Sequence, residues 1–270
     1  MNAFRESTSK KKWTEIPAGE LNAAEQRLRV ALGEEASAVV ERINNDPLFL
    51  RLMVDQLATA AAQIDDGRYL SANPNWRDAQ RIMGENFFGV EDAMRYFGVK
   101  PNKQELADLW QIPYPPKVLK ECRNSHILVV TFPDLTITQV MRKVGKEPFC
   151  RVVRHIVANY MDSCLQLEWQ LVGKDAYPGS AGKSLGRQKE LVADGEGVAG
   201  AGKLVYAVIG YYLATGKRLI KNISLRTSTD HFGSHVIVGP FDDGCLCISE
   251  ELDDGFDSIG LAYYRRQPNR

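Results

Sequence analysis

This chain has no surplus of charge of either sign. Lys and Arg together number 34, as do Asp and Glu, and the formal net charge is zero. The overall basic field that draws a protein to nucleic acid is therefore missing. Cysteine is scarce as well: five in 270 residues, an odd number without the density of a disulfide scaffold. Reduced thiols in a cytoplasmic compartment are the expectation. No apolar run reaches the roughly 20 residues that span a bilayer. The opening MNAFRESTSKKKW has basic residues with no apolar stretch behind them, unlike a secretory signal or a membrane anchor. Internal repeats are lacking. What is present, 44% hydrophobic and 25% charged residues, is ordinary for a soluble globular protein of one large or two modest domains.

The densest apolar stretch is Gly202–Gly216, GKLVYAVIGYYLATG. Leu204, Val205, Val208, Ile209, Tyr211, Tyr212 and Leu213 cover too much of a helical wheel for a surface helix, so the pattern predicts a helix buried on most sides and packed across a sheet. Gly216 stands where a left-handed C-cap would end it, and Lys217 and Arg218 follow at the negative end of the helix dipole.

Around this helix the chain divides into four parts. Residues 1–19 read as a mobile tail whose Lys10–Lys12 cluster is solvated. Residues 20–66 read as a helical hairpin. Asn22 and Glu25 form its capping box, and Leu28, Leu32, Val39 and Ile43 make one stripe. After a break at Asn44-Asn45, Asp46-Pro47 opens the second helix, striped by Phe49, Met53, Leu57, Ala60 and Ile64. Residues 67–99 form a helical connector, with helices at Trp76–Met83 and Val90–Phe97. Residues 100–270 form an α+β module. Its expected helices are Lys103–Trp110, Lys117–Cys122, Leu135–Val144, Phe149–Tyr160 and one from Ser184 to Leu191, with an extended PYPP at 113–116. HILVVTF (126–132) is apolar throughout, as a strand buried on both faces should be. Leu165–Val172 alternates, with Leu165, Leu167, Trp169 and Leu171 on one face. Ile223–Arg226, His235–Val238, Cys245–Ser249 and Ile259–Tyr263 follow at short intervals and predict an antiparallel meander. The fold class is α+β: a helical hairpin, then a module whose largely antiparallel C-terminal sheet packs on the central helix.

The segments LWQIPYPPKVLKEC…HILVVTFP, EWQLVGKDAYP and VYAVIGYYLATGKRL…LRTS…VIVGPFDDG resemble a group of uncharacterised bacterial proteins. The likeness runs from about Leu109 to Arg265 and implies that this stretch is one module. It implies no activity and supplies no catalytic residues.

Several residue patterns point to chemistry, each beside a plainer account. GVAGAGKL (197–204) has the glycine and lysine spacing of a phosphate-binding loop but carries Leu204 where a hydroxyl should bind magnesium, and a glycine link before a core helix explains it. His231, His235, Cys245 and Cys247 are the residue types of a zinc site at an unrecognised spacing. Asp242, Asp243, Glu250, Glu251, Asp253, Asp254 and Asp257 form an acidic cluster. It is suited to a divalent metal, with Asp242, Asp243 and Asp253 as ligands, and equally to solvated turns that discourage edge pairing. RTSTDHFGSH (226–235) reads as a loop between two strands in which Asp230 orients His231 as a general base beside Arg226. Cys122 and His126 match a thiol–imidazole pair by type, and Trp76, Trp110 and Trp169 read as packing.

Without a specific catalytic constellation, the sequence points first to a soluble cytoplasmic binding or interaction protein. It would engage a protein partner or a second copy through the helical hairpin and need no cofactor. The alternative is a metal-dependent hydrolase or nuclease built from Arg226, Asp230 and His231 with Asp242, Asp243 and Asp253.

Overall fold

A computed structural model of the chain describes residues 17–133, 135–145, 148–152, 165–231, 234–242, 245–251 and 257–268. The expected tail lies outside these residues except at its end, where Ala18 already opens a helix. Two compact units divide the chain, Met1–Ala62 and Gln63–Arg270.

In the first unit the expected two-helix hairpin is three helices: α1 (Ala18–Leu32), α2 (Ala36–Asn45) and α3 (Pro47–Asp65). A 3-10 turn at Gly33–Glu35 splits the first, because Gly33 takes a positive φ of 56°. Asn22 lies inside α1 and caps nothing. The Asp46-Pro47 start behaves as expected, since the Asp46 carboxylate accepts from the amides of Leu48 and Phe49. The stripe of Phe49, Met53, Ala60 and Ile64 is half-buried, but none of the described residues of α2 or α3 is fully buried.

In the second unit the central helix spans Ala201–Thr215 and ends at Gly216 in the left-handed region. Leu204 through Ile209 are all within 2% of complete burial. They need this because the helix touches strands of two separate sheets as well as two helices. Gly210 lets the Phe88 ring approach to where a Cβ would meet it at 3.1 Å. The helix's first amide, Ala201, has no cap from its own segment and donates instead to the Thr229 hydroxyl at 3.0 Å.

One sheet has the order β1 (Phe87–Phe88), β2 (His126–Thr131), β4 (Glu168–Gly173), β10 (Tyr263–Arg265) and β5 (Glu196–Val198). β1 runs parallel to β2, and the remaining neighbours are antiparallel. Successive strand residues point to opposite faces. Phe88 meets Tyr206 of the central helix, whereas Phe87 meets Trp169 and so the helix α5 (Pro74–Met83) that carries Trp76. Both faces are therefore covered. β2 is buried at every position, and β4 is buried from Trp169 to Gly173 instead of alternating as its sequence suggested.

The other sheet has the order β3 (Phe149–Val152), β8 (Leu246–Glu251), β7 (Ser234–Phe241), β6 (Ser224–His231) and β9 (Ile259–Leu261). The expected meander is present in β6–β7–β8, which pair antiparallel, but β3 and β9 add parallel edges, so the sheet is mixed. Two further expectations are corrected. Phe149–Val152 is a strand, not the start of a helix; residues 153–160 lie outside the described residues. The run Ile259–Tyr263 is not one strand, because the chain changes sheets at Ala262. There the amide donates to Arg226 and the carbonyl accepts from Ala199.

Candidate functional site

The segment read as a polar loop is strand. β6 continues through Arg226 and Asp230 to His231, which pair in register with Ile237, His235 and Ser234. Arg226 is fully buried. Its guanidinium donates to the Gln188 side-chain oxygen at 2.8 Å and to the Lys183 carbonyl at 3.3 Å. Gln188 lies in α10 (Leu185–Glu190) and donates in turn to the carbonyls of Ser180 and Ile259. Ser180 accepts from the Leu261 amide through its hydroxyl. Arg226 thus ties the segment before the central helix to the edge of the sheet, away from solvent.

Asp242, at the end of β7, is half-buried and accepts from the Asn222 amide at 3.1 Å. Asp243 and Asp253 lie outside the described residues, so the expected carboxylate set cannot be assembled from the structure. Among the described residues no group of three or more His, Cys, Asp or Glu side chains is placed to hold a metal ion. Cys245 and Cys247 are half-buried at the start of β8. The glycine-rich stretch is no phosphate-binding loop: Gly197 is inside β5, only Ala199 and Gly200 separate strand from helix, and Lys203 pairs with Glu168 at 3.0 Å. Cys122 and His126 are both buried; burial pushes the thiol's pKa up and the imidazole's down, which suits neither for catalysis.

The structure instead brings together residues that sequence reading left apart. A cleft of about 660 Å³ opens beside the C-terminal end of the central helix. Lys174, just after β4, reaches it from one side; Lys217, Arg218 and Lys221 reach it from the turn that leaves the helix; Asn222, Phe241 and Asp242 close it. Lys217 is compensated, donating to Glu85 at 2.6 Å, and this bond lowers the carboxylate's pKa and raises the ammonium's. Tyr211 donates to the other oxygen of Glu85 at 3.2 Å. Lys174, Arg218 and Lys221 have no ion pair among the described residues. Lys174 stands 5.7 Å from the centre of the Tyr211 ring, and its pKa is lowered by burial, against the opposing pull of the Glu85 charge and with a smaller push from Lys217. Arg218 lies over the rings of Tyr212 and Phe241 at 5.8 and 5.6 Å, its Nε buried without an acceptor.

The turn that presents these cations is held in an unusual shape. Ile220 and Asn222 take positive φ values of 48° and 59°. For a β-branched residue this is a marked departure from preferred geometry, and such strain persists only where surrounding structure imposes it. Here the buried Ile220 side chain anchors the turn, its carbonyl accepts from the Phe241 amide, and Asp242 fixes Asn222. A second cavity of about 300 Å³ is lined by Tyr114, Glu168, Lys203, Tyr264 and Arg266; Glu168 and Lys203 pair there, which leaves Arg266 as its one further charge.

No protein-family model matches the chain, and searches of curated proteins and of solved structures return no match either.

Proposed function

We propose that the chain is a cytoplasmic binding protein that self-associates through its N-terminal helices. The observation that carries this reading is α3. Leu48 and Leu52 project from one side of the helix, and Leu50, Val54 and Leu57 from the other; all five are exposed, Leu48 by 80%. A helix apolar on more than one side belongs inside a bundle. No helix of the described residues is long and apolar enough to cross a membrane. Leu28, Val30 and Val40 of α1 and α2 add further exposed apolar surface to these helices. Between Pro47 and Ala62 the only charges are Arg51 and Asp55, so nothing electrostatic opposes two copies meeting. The cysteine usage supports the cytoplasmic assignment. We extend the same reading to residues 109–265 as a module shared with the bacterial group that its segments resemble.

The test is the mass of the full chain in solution, by sedimentation equilibrium across a hundredfold concentration range. Dimers or larger assemblies are expected, and Leu48→Glu with Leu52→Glu should give monomers whose near-ultraviolet circular dichroism is unchanged. A monomer at every concentration, or an assembly indifferent to the two substitutions, would overturn the proposal. So would binding of the apolar helices to lipid vesicles in place of self-association.

A further inference from the structure

We propose that the cleft at the end of the central helix binds a small molecule carrying two or more phosphate groups. The argument is independent of the self-association above, since every residue involved belongs to the second unit. Four cations meet there with the Asp242 carboxylate; Glu85 bonds to Lys217 and its charge also acts on Lys174, so the lining stays net positive. The ordinary account of lysines and arginines after a helix is that they offset the dipole by bonding its last carbonyls. That account fails here on two points. Arg218 makes no such bond among the described residues, and Lys174 comes from a strand far away in sequence. What remains is a guanidinium resting against the Tyr212–Phe241 ring pair and two ammonium groups around the same space. Their hydrogen-bonding capacity is unspent.

Phosphate suits such a set better than carboxylate does. Its oxygens carry more charge and accept from several donors at once, and a guanidinium fork engages two of them together. One phosphate engages the Arg218 fork, and a second offers oxygens to the Lys221 and Lys174 ammonium groups of the same lining. The volume of about 660 Å³ lies in the range of small-molecule sites and exceeds what bare phosphates fill, leaving room for an organic body. The strained turn at Ile220–Asn222 gives the site its rigidity. It fixes the backbone that carries Arg218 and Lys221, and the ring contacts hold the Arg218 side chain, which lowers the ordering cost of binding.

Isothermal titration calorimetry of the full chain with pyrophosphate, in low salt, tests the site. Binding is expected, with Lys221→Glu weakening it at least tenfold, the scale of one lost charge-assisted hydrogen bond. Lys221 is exposed and outside any ion pair, so this variant keeps the fold. Arg218→Gln should weaken binding by more, and Lys189→Gln, an exposed charge outside the cleft lining, should leave it unchanged. Adenosine triphosphate run alongside separates two forms of the ligand: tighter binding than pyrophosphate assigns the spare volume to a nucleoside, and equal binding assigns the site to the phosphates alone. No binding of either compound overturns the proposal, as does an affinity that Lys221→Glu and Lys189→Gln lower equally.

Discussion

Trp76 and Trp169 share one acceptor. Both indole N–H groups donate to the carbonyl oxygen of Leu109, at 3.0 and 2.9 Å, and their rings meet edge to face with centroids 5.8 Å apart. The arrangement fastens α5 and β4 to the turn that follows Lys103–Asp108, and it makes the two tryptophans energetically dependent on each other.

A carbonyl has two lone pairs, so replacing either tryptophan by phenylalanine leaves Leu109 with one donor. Each single change should cost the bond and some packing, roughly 1–2 kcal/mol. Replacing both orphans a carbonyl whose residue is only 2% exposed, and a buried acceptor without a partner costs more than a bond. The double variant should therefore lose on the order of 1 kcal/mol beyond the sum of the singles. Urea unfolding of the four proteins checks this; additivity within about 0.5 kcal/mol would remove the shared acceptor as an explanation.

His126 gives a second prediction, in pH. It is 4% exposed, its Nδ1 lies 2.8 Å from the Ser125 hydroxyl, and its Nε2 is buried without a partner. Burial, and then the charge of Arg265, push its pKa down to about 4. The unfolded chain protonates the same residue near 6.5. Between these values the unfolded state holds more protons, so stability falls as pH drops from about 6.5 to about 4 and is fully kept above 6.5. The loss across that window is roughly 3 kcal/mol. Carboxylates titrate there too, so the measurement is a difference: His126→Gln should flatten the fall relative to wild type in urea midpoints at pH 7.5, 6 and 5. Equal slopes would count against a buried neutral imidazole.

The central helix and β2 were legible because their signals are local. An apolar stretch closed by Gly216 and an unbroken β-branched run say in themselves that they are buried on all sides. The sheet edges carry no such signal. Phe149–Val152 looks like the start of a helical stripe, and only its parallel pairing with β8 makes it a strand. Ile259–Tyr263 reads as one continuous strand, and the crossing at Ala262 is decided by Arg226 and Ala199, which lie elsewhere in the chain. The sites suffered in the same way. Arg226 stood among polar residues and read as exposed; its partner Gln188 is 38 residues away. Lys217 and Arg218 were noticed, but only as cations at a helix end, and nothing in the sequence brings Lys174 to them.

Tyr206 tests how dry the core is. It is fully buried between Phe88 and Phe97, and its hydroxyl has no partner among the described residues. Burial raises its pKa well above the ordinary tyrosine value, so the group stays neutral. An unpartnered buried hydroxyl costs roughly 1–3 kcal/mol, and removing it at constant ring size removes that cost. Tyr206→Phe should therefore leave stability unchanged or raise it by up to about 1 kcal/mol, read as an upward shift in thermal midpoint. A clear loss would mean that an internal water satisfies the hydroxyl.

The last prediction separates a framework role for Arg226 from the catalytic one its sequence context suggested. Among the described residues, Gln188 and the Lys183 carbonyl accept from this deeply enclosed guanidinium, while Gln188 donates onward to Ser180 and Ile259. Arg226→Ala removes the hub and leaves the buried Gln188 oxygen without its donor, a loss of roughly 1–3 kcal/mol before the packing lost with the side chain. Arg226→Lys should rescue little, because a single ammonium cannot repeat the planar fork. Gln188→Leu should destabilise as well, since it strips the guanidinium of its closest acceptor. Urea midpoints for the three variants measure this directly. Were Arg226 a group kept for chemistry on a substrate, Arg226→Ala would leave stability within about 0.5 kcal/mol of wild type, as exposed positions do. A pattern in which all three variants unfold early, Lys included, is what a sealed structural tie requires.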